Sequence, residues 1–412
     1  MAVTVNNVNE ELIKFRKKAI WSFLRESRFD AYTGTGTNNI IQRVIDLEAN
    51  GKQVNIPLLD QLRGDGKATG QLAGSEEQLD NYGFPMWADW ARHAVLFNKQ
   101  NKKAAAINIR EYGTPALTSW TKRWRRDDMV DALLSIPTAA IPANYGVDPA
   151  GATTQNARVN GLRWGQASAA QRNLWLTANN DRVVFGHLVS NTVAGNVASS
   201  LANIQASNDK MSAAIGRLLK RQAMQTTNMA NWPAIRPYQI EDNGDQEIYV
   251  CFMGSRAFRD LSVDSEMQNA NLQARARESV DPTKTNPIFT GAHLLKDGIV
   301  YREIPEIDQR FIIGIGGTIA APIGPLSGTG ASGIDVGPVF MCGQSALAYA
   351  IGQLPQTKRR DETDYQFLDG IGIEMQYGVG KVAKDKASNV GAIGTLKDWG
   401  MVTGFVASVP DA

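Results

Sequence analysis

Hydrophobic and polar positions along this chain follow two different periods, and the change from one to the other sets the predicted elements. Between residues 10 and 29, Leu12, Phe15, Ala19 and Phe23 recur at helical spacing while Lys14, Lys17, Lys18 and Arg25 lie mostly off that stripe. This predicts an amphipathic helix with Asn9 as its N-cap. The polar run YTGTGTNN at 32–39 reads as a flexible linker, so the helix reads as an arm that must dock on something else. Residues 54–59 read as a short strand. Residues 63–74, with the Asp65-Gly66 turn signal, read as an extended loop, and residues 84–97 as a longer strand. Thr114 and Pro115 suit an N-cap and first helical position, which predicts a helix over 115–136. Leu117, Trp120, Trp124, Val130, Leu133 and Leu134 form its apolar side, and Pro137 stops it.

Residues 138–206 are rich in Ala, Asn, Gly and Thr and read as irregular, with one short helix near 171–178. Ser207 is the expected cap of a helix carrying Met211, Ile215, Leu218 and Leu219 on one face. From Ile235 the period becomes that of strands: 235–241 and 247–254 about Asn243-Gly244, then, after a helical stretch at 255–278, 292–296 and 299–304 about Asp297-Gly298. The glycine-rich 314–337 reads as loop, GQSALAYAIGQL within 338–354 as a small-residue helix, and 365–376 and 399–409 as closing strands.

At 412 residues the chain is too long for one small core, so two lobes or one lobe with long excursions are expected. Its 43 basic and 41 acidic residues nearly cancel, which disfavours a dedicated nucleic-acid binder. Cys251 and Cys342 each sit in an apolar run and read as buried small hydrophobes, in keeping with a reducing compartment. No apolar run reaches the roughly 20 residues that span a bilayer, and charges from Glu10 to Lys18 interrupt any signal core.

The chemical motifs are weak. Gly314, Gly316 and Gly317 suggest a phosphate loop, but a third fingerprint glycine is missing and Pro322 and Pro325 stand where its helix should run. His93, His187 and His293 are isolated from other ligands, Ser345 lacks nucleophile-elbow glycines, and adjacent Asp127 and Asp128 do not face one another on a helix. EDNGDQ at 241–246 lacks the glycine of a calcium loop and reads as turn chemistry. No catalytic residue, metal or cofactor is therefore expected, and the chain does not read as an enzyme. Lys122, Arg123, Arg125 and Arg126 around Trp124 are the best nucleic-acid candidates, since basic groups neutralise phosphates and an indole stacks on bases. The competing reading, a solvated basic face balanced by Asp127 and Asp128 with Trp124 in the core, fits the balanced charge better.

Four blocks, in order, carry a resemblance: IPLLDQLRGDG…LAGSEEQ at 56–78, TNPIFTG at 285–291 with GIVYRE after it, GQSALAYAIGQ leading into DYQFLDGIGIEMQYGVGK, and DWGMVTGFVASV at 398–409. Together they resemble the major capsid protein family of N-four-like podophages. The resemblance implies an α+β, Hong Kong 97-type capsid fold. Its parts would be an N-arm (1–50), an extended E-loop (51–92), a peripheral domain (93–240) with the 115–136 helix as spine, an axial domain (241–363) and return strands (364–412). It also implies self-assembly into pentamers and hexamers of an icosahedral head enclosing double-stranded DNA, within the virion shell and built in the host bacterial cytoplasm. The implied partners are other copies of the chain, non-specifically held DNA on the inner face, and scaffolding, portal and decoration proteins, with no membrane. Leu12, Phe15, Phe23, Leu58, Leu59, Leu62 and Arg63 have no obvious local core and are the expected intersubunit contacts; Lys122, Arg123, Arg125 and Arg126 are the candidates for facing DNA. The rival readings are a capsid decoration or surface-binding protein, and an enzyme with a site gathered from distant segments. The long predicted helix disfavours the compact all-β pattern of the first.

Overall fold

The structure, a computed structural model, describes residues 27–48, 51–59, 67–73, 76, 81–98, 109–143, 145–146, 157–225, 234–240, 247–274, 293–363, 368–384 and 394–411. Nearly all of the expected arm helix, the Asn243-Gly244 turn and the TNPIFTG block lie outside these residues.

Two compact units are formed. The smaller contains Ala91–Trp124 and Leu354–Met375; the larger contains Arg28–Trp90, Arg125–Gln353 and Gln376–Ala412. In the smaller unit, the outer part of the Leu368–Lys381 strand lies between those of Leu347–Thr363 and Asp89–Asn98. Beside them runs the first half of a helix, Ile109–Leu133. The His93 ring stacks on Trp120 at 4.9 Å, and Trp120 meets Trp124 at 6.0 Å, so aromatic contacts join strand to helix. The helix begins six residues before the expected start. Pro115 sits inside its second turn and Thr114 is no cap: the Thr114 carbonyl accepts from Thr118 Oγ1 at 3.0 Å. A proline there forfeits one helical hydrogen bond, which a long helix tolerates near its start.

The larger unit holds the main core. Its larger sheet runs His293–Lys296, Ile299–Glu303, Glu247–Met253, Val336–Cys342, Met401–Ala407 and Val183–Phe185. Ile299–Glu303 is antiparallel to His293–Lys296 but parallel to Glu247–Met253, and Val183–Phe185 is parallel to Met401–Ala407, while Val336–Cys342 is antiparallel to both strands beside it. The central runs are apolar at successive positions because both faces are covered. Helices Ala213–Met224 and Ser255–Val263 bury Ile215, Leu219, Ala257 and Leu261 on Cys251, Tyr301, Val339 and Val402. A second sheet joins Thr33–Gly34, Ile41–Val44 and the start of Leu347–Thr363 in parallel.

Several expectations are met at the backbone. The second hairpin turns at Asp297-Gly298 with φ of 55° and 70°, as a type I′ turn requires. The short helix runs Ala169–Ala178, opened by a capping box between Ser168 and Gln171. Others are corrected. The 84–97 strand is two strands, Asn81–Trp87 and Asp89–Asn98. The helix assigned to Ser207 begins at Ala213, capped by Ser212. The 255–278 helix breaks at Asp264 into Ser255–Val263 and Ser265–Ala274. The run 32–39 is not a free linker: Thr33–Gly34 is a strand, and Phe29 is buried 5.3 Å from Phe252. The small-residue helix is a strand, Leu347–Thr363, entered through Ser345 with φ of 52°. Ala348 and Ala350 are fully buried against a parallel neighbour, and that pairing overrides alanine's helical preference.

Candidate assembly surfaces and the basic helix

Among the described residues, Gln53–Leu59 pairs only with Asn81–Trp87, as an antiparallel two-stranded ribbon with Leu58 opposite Tyr82 and Leu59 opposite Asn81. Side chains alternate faces along a strand, which sends Leu58 and Leu59 opposite ways. Leu58 is 5% exposed in a cluster with Phe84, Val44, Leu47 and Val382, whereas Leu59 is 57% exposed. Leu58 is therefore corrected: it has a local core and is not open to a neighbour. Leu59 stands open, beside a cavity of about 440 Å³ also lined by Thr37, Pro57, Arg236, Ser345 and Trp399. Leu12, Phe15, Phe23, Leu62 and Arg63 lie outside the described residues.

The four basic residues of the long helix divide. Lys122 and Arg123 are exposed and Trp124 is half-buried. Arg125 Nη2 donates to both carboxylate oxygens of Asp30, at 2.9 and 3.0 Å. Arg126 is buried between Asp127 at 2.9 Å and Glu306 at 3.1 Å, which corrects its reading as DNA-facing: a guanidinium neutralised by two carboxylates has no charge to offer a phosphate. Burial raises the Asp127 carboxyl above its ordinary value despite Arg126 beside it.

The sequence reading missed the acidic side of this helix. Asp128 is fully buried and accepts from Arg158 at 3.1 Å, Arg163 at 2.9 Å and the Tyr377 hydroxyl at 2.6 Å. Asp131, one turn on, forms an ion pair with Arg163 at 3.1 Å and accepts hydrogen bonds from Arg310. Spacing along the chain gives no signal for partners this remote; only the apolar neighbours of Asp128 and Asp131, Met129, Val130 and Leu133, hint that both face inward.

In the smaller unit, Gly370 and Gly372 on the middle strand leave a trough of about 650 Å³ walled by Ala94 and Leu96 on one side and Lys358 and Arg360 on the other. Glu374 pairs there with Lys358 and, at 3.9 Å, with Arg92.

Among the described residues, no group of three or more His, Cys, Asp or Glu side chains could hold a metal ion. His187 is committed to Asp209 at 2.9 Å. Cys251 and Cys342 are buried free thiols, and burial pushes both well above the ordinary thiol range, away from thiolate reactivity. No described helix is long and apolar enough to cross a membrane.

The profile of a family described as phage capsid protein matches residues 3–409. The capsid asymmetric unit of cyanophage Pam1 is similar at a TM-score of 0.80 and 29% identity, with the whole of both chains covered. Two further likenesses are of fold: the capsid of Ralstonia phage GP4, at 0.65, 20% identity and full coverage of both chains, and the head of Helicobacter pylori bacteriophage KHP40, at 0.60, 12% identity and coverage of 99% and 98%. Comparison with curated protein sequences returns no match. Matched along nearly its whole length, the chain belongs to the phage capsid protein family and is a major capsid protein with the Hong Kong 97-type fold.

Proposed function

We propose that copies of this chain assemble into the pentamers and hexamers of an icosahedral head enclosing double-stranded DNA. The observation that carries this reading is the likeness to the Pam1 capsid over the full length of both chains. Residues 1–50 act as the N-arm, 51–92 as an E-loop reaching over a neighbour, 93–240 as the peripheral domain, 241–363 as the axial domain and 364–412 as return strands. Leu59 is the described contact residue; Leu12, Phe15, Phe23, Leu62 and Arg63 are its expected companions. Lys122 and Arg123 remain the candidates for facing DNA. Scaffolding, portal and decoration proteins are the expected auxiliary partners, and the host cytoplasm the place of assembly. Heterologous contacts whose rotation closes give rings, and rings joined edge to edge give a shell.

Electron microscopy of the chain expressed with its phage's other head proteins tests the reading. Closed particles are expected, and a chain that stays monomeric in that mixture would falsify it. The arm is tested separately by truncation. Because Phe29 and Asp30 belong to the folded body, the cut must fall before Ser27. That truncation is expected to leave a folded chain that assembles poorly, and normal particles from it would remove the arm from the account.

A further inference from the structure

The cavity beside Leu59 lies within the larger unit, where Ile41–Val44, Gln53–Leu59, residues 234–236, the turn at 343–345 and residues 399–400 meet. Its volume of about 440 Å³ falls among ligand pockets, which run from roughly 300 to 1,000 Å³. Gln344 lines it and is 8% exposed, yet its carboxamide makes no hydrogen bond with any described residue. Among the described residues the same holds for the Gln42 carboxamide, the Ser345 hydroxyl, the Trp399 indole N–H and the Arg236 guanidinium, all at the same cavity. An unmade bond on a buried amide costs about 1–3 kcal/mol. Unused polar groups gathered around one hollow mark a place for an occupant that uses them.

The main chain holds this lining in place. Gly343 N donates to Gly400 O, Gln344 N to Arg236 O and Ser345 N to Asn39 O, each at 2.9 Å. Ser345 takes the left-handed φ of 52°, uncommon outside glycine. A Cβ on Gly400 would lie 2.4 Å from Gln344 O, so the two segments approach as only glycine permits. The backbone donors are thus engaged inside the fold while the side chains beside them are not. Residues held in such conformations recur at ligand clamps, and a fixed lining loses little freedom when it binds.

We propose that this cavity binds an acidic peptide segment. Arg236 and the Trp399 N–H can only donate, and among the described residues no Asp or Glu lines the cavity to accept from them. Their partner is an acceptor, and for Arg236 an anion. Each carboxamide sets a donor beside an acceptor, the complement of a main-chain peptide group. Pro57 and Leu59, two residues apart on the outward face of their strand, add an apolar wall for a neighbouring side chain. A carboxylate, peptide groups and an apolar side chain occur together in an acidic peptide. A nucleotide supplies the anion but binds by stacking on a free aromatic face, and the Trp399 ring packs against the core cluster of Leu58 and Phe84.

The test is calorimetric titration of the unassembled full chain with two tripeptides blocked at both ends, alanine–aspartate–leucine and its isostere alanine–asparagine–leucine. The aspartate peptide should bind about tenfold or more tighter, the scale of a hydrogen bond to a charged group. Arg236 is exposed, so Arg236→Gln keeps the fold and should abolish that preference. Gln344→Leu should weaken both peptides about fivefold or more and leave the preference. Its melting temperature should not fall, because the amide it removes has no partner in the free chain. Should Gln344→Leu fail to fold, Arg236→Gln decides alone. Binding of neither peptide at about 10 mM would leave a cavity filled by water and overturn the proposal. Equal binding of the two peptides, or a preference that survives Arg236→Gln, would overturn it as well. A thymidine dinucleotide that binds wild type but not Arg236→Gln, where neither peptide binds, would put nucleic acid in the peptide's place. None of these outcomes bears on the assembly reading, which the particles test separately.

Discussion

Lys381 Nζ lies 2.7 Å from the Asp398 carboxylate, and solvent reaches neither side chain. Burial raises the Asp398 carboxyl above its ordinary value, against the opposing pull of Lys381 and Arg182. Lys381 also lies 5.0 Å over the Trp175 ring, and Asp398 N donates to Asn179 Oδ1 at 2.7 Å. The pair therefore ties the end of a long strand to the Ala169–Ala178 helix. Removing one partner leaves a bare buried charge, so Lys381→Met is expected to cost about 3–5 kcal/mol. Adding Asp398→Leu should restore most of that loss. Urea denaturation of the unassembled chain measures both, and a double variant no more stable than the single one would contradict this account.

Asp308 offers a pH signature. Burial pushes its carboxyl from the ordinary 3.8 up to about 6, although Arg256 N donates to it at 2.9 Å. Between those values the folded chain holds a proton that the unfolded chain has lost. The associated stability is complete below about pH 4 and disappears as pH rises through 6, an effect on the order of 3 kcal/mol. Asp308→Asn keeps an acceptor for Arg256 N and removes the titration. Stability curves of wild type and variant should therefore run parallel above pH 6 and differ in slope between 6 and 4. Parallel curves across that window would exclude the assignment.

Asp209 works in the opposite sense. Burial acts to raise its carboxyl, but hydrogen bonds from Gln205 N at 2.8 Å and from His187 N and Nδ1 at 2.9 Å outweigh it and hold the group below its ordinary value. Its stability is present above pH 3.8 and lost as pH falls through the lower folded value. The same carboxylate accepts from Asn191 Nδ2 at 3.2 Å, so one side chain closes the loop after Phe185 onto the turn before Met211. Asp209→Ala is expected to cost about 1–3 kcal/mol by stranding those donors. Hydrogen exchange should then quicken at 186–191 and 205–209 with little change elsewhere; uniform change along the chain would argue against a local clasp.

The basic helix predicts a split between neighbours. Arg126→Ala strands Glu306 and should cost about 3–5 kcal/mol, while Lys122→Ala with Arg123→Ala should stay within about 0.5 kcal/mol of wild type. If Lys122 and Arg123 meet phosphates, their removal flattens the salt dependence of duplex DNA binding by about 2 in log–log slope. Filter binding of the unassembled chain reads this directly. An unchanged slope would leave both as ordinary surface charges.

What the sequence made legible was local. Asp297-Gly298 announced its hairpin because a type I′ turn needs residues that accept positive φ, and both do. The helix near 171–178 was read in an otherwise irregular stretch, though its first turn at Ala169 and its Ser168 capping box were not. The GQSALAYAIGQL segment misled because alanine's preference is weak beside the pairing of Leu347–Ala350 with Ile41–Val44, which is settled by residues some 300 positions away. Arg158, Arg163 and Arg310 could not be assigned to Asp128 and Asp131 for the same reason: their partnership exists only once the chain has folded. The assembly surface was half-legible. Leu58 and Leu59 look alike in sequence, and only the pairing register of their strand separates them.

That register gives a sharp contrast between adjacent leucines. Leu58 faces Phe84, Val44 and Leu47, so Leu58→Ala removes buried methyl groups and leaves a cavity, at an expected cost of about 2–5 kcal/mol. Leu59 faces outward, so Leu59→Ser should leave the unassembled chain within about 0.5 kcal/mol of wild type. If its side chain is covered in the shell, the loss appears only on assembly, as a lower particle yield from an equally stable chain. Thermal melting of unassembled protein and particle yield from co-expression, read side by side, separate the two roles. A Leu59→Ser chain that assembles like wild type would return Leu59 to the ordinary exposed surface, whereas a Leu58→Ala chain of undiminished stability would mean that the strand pairs in the other register.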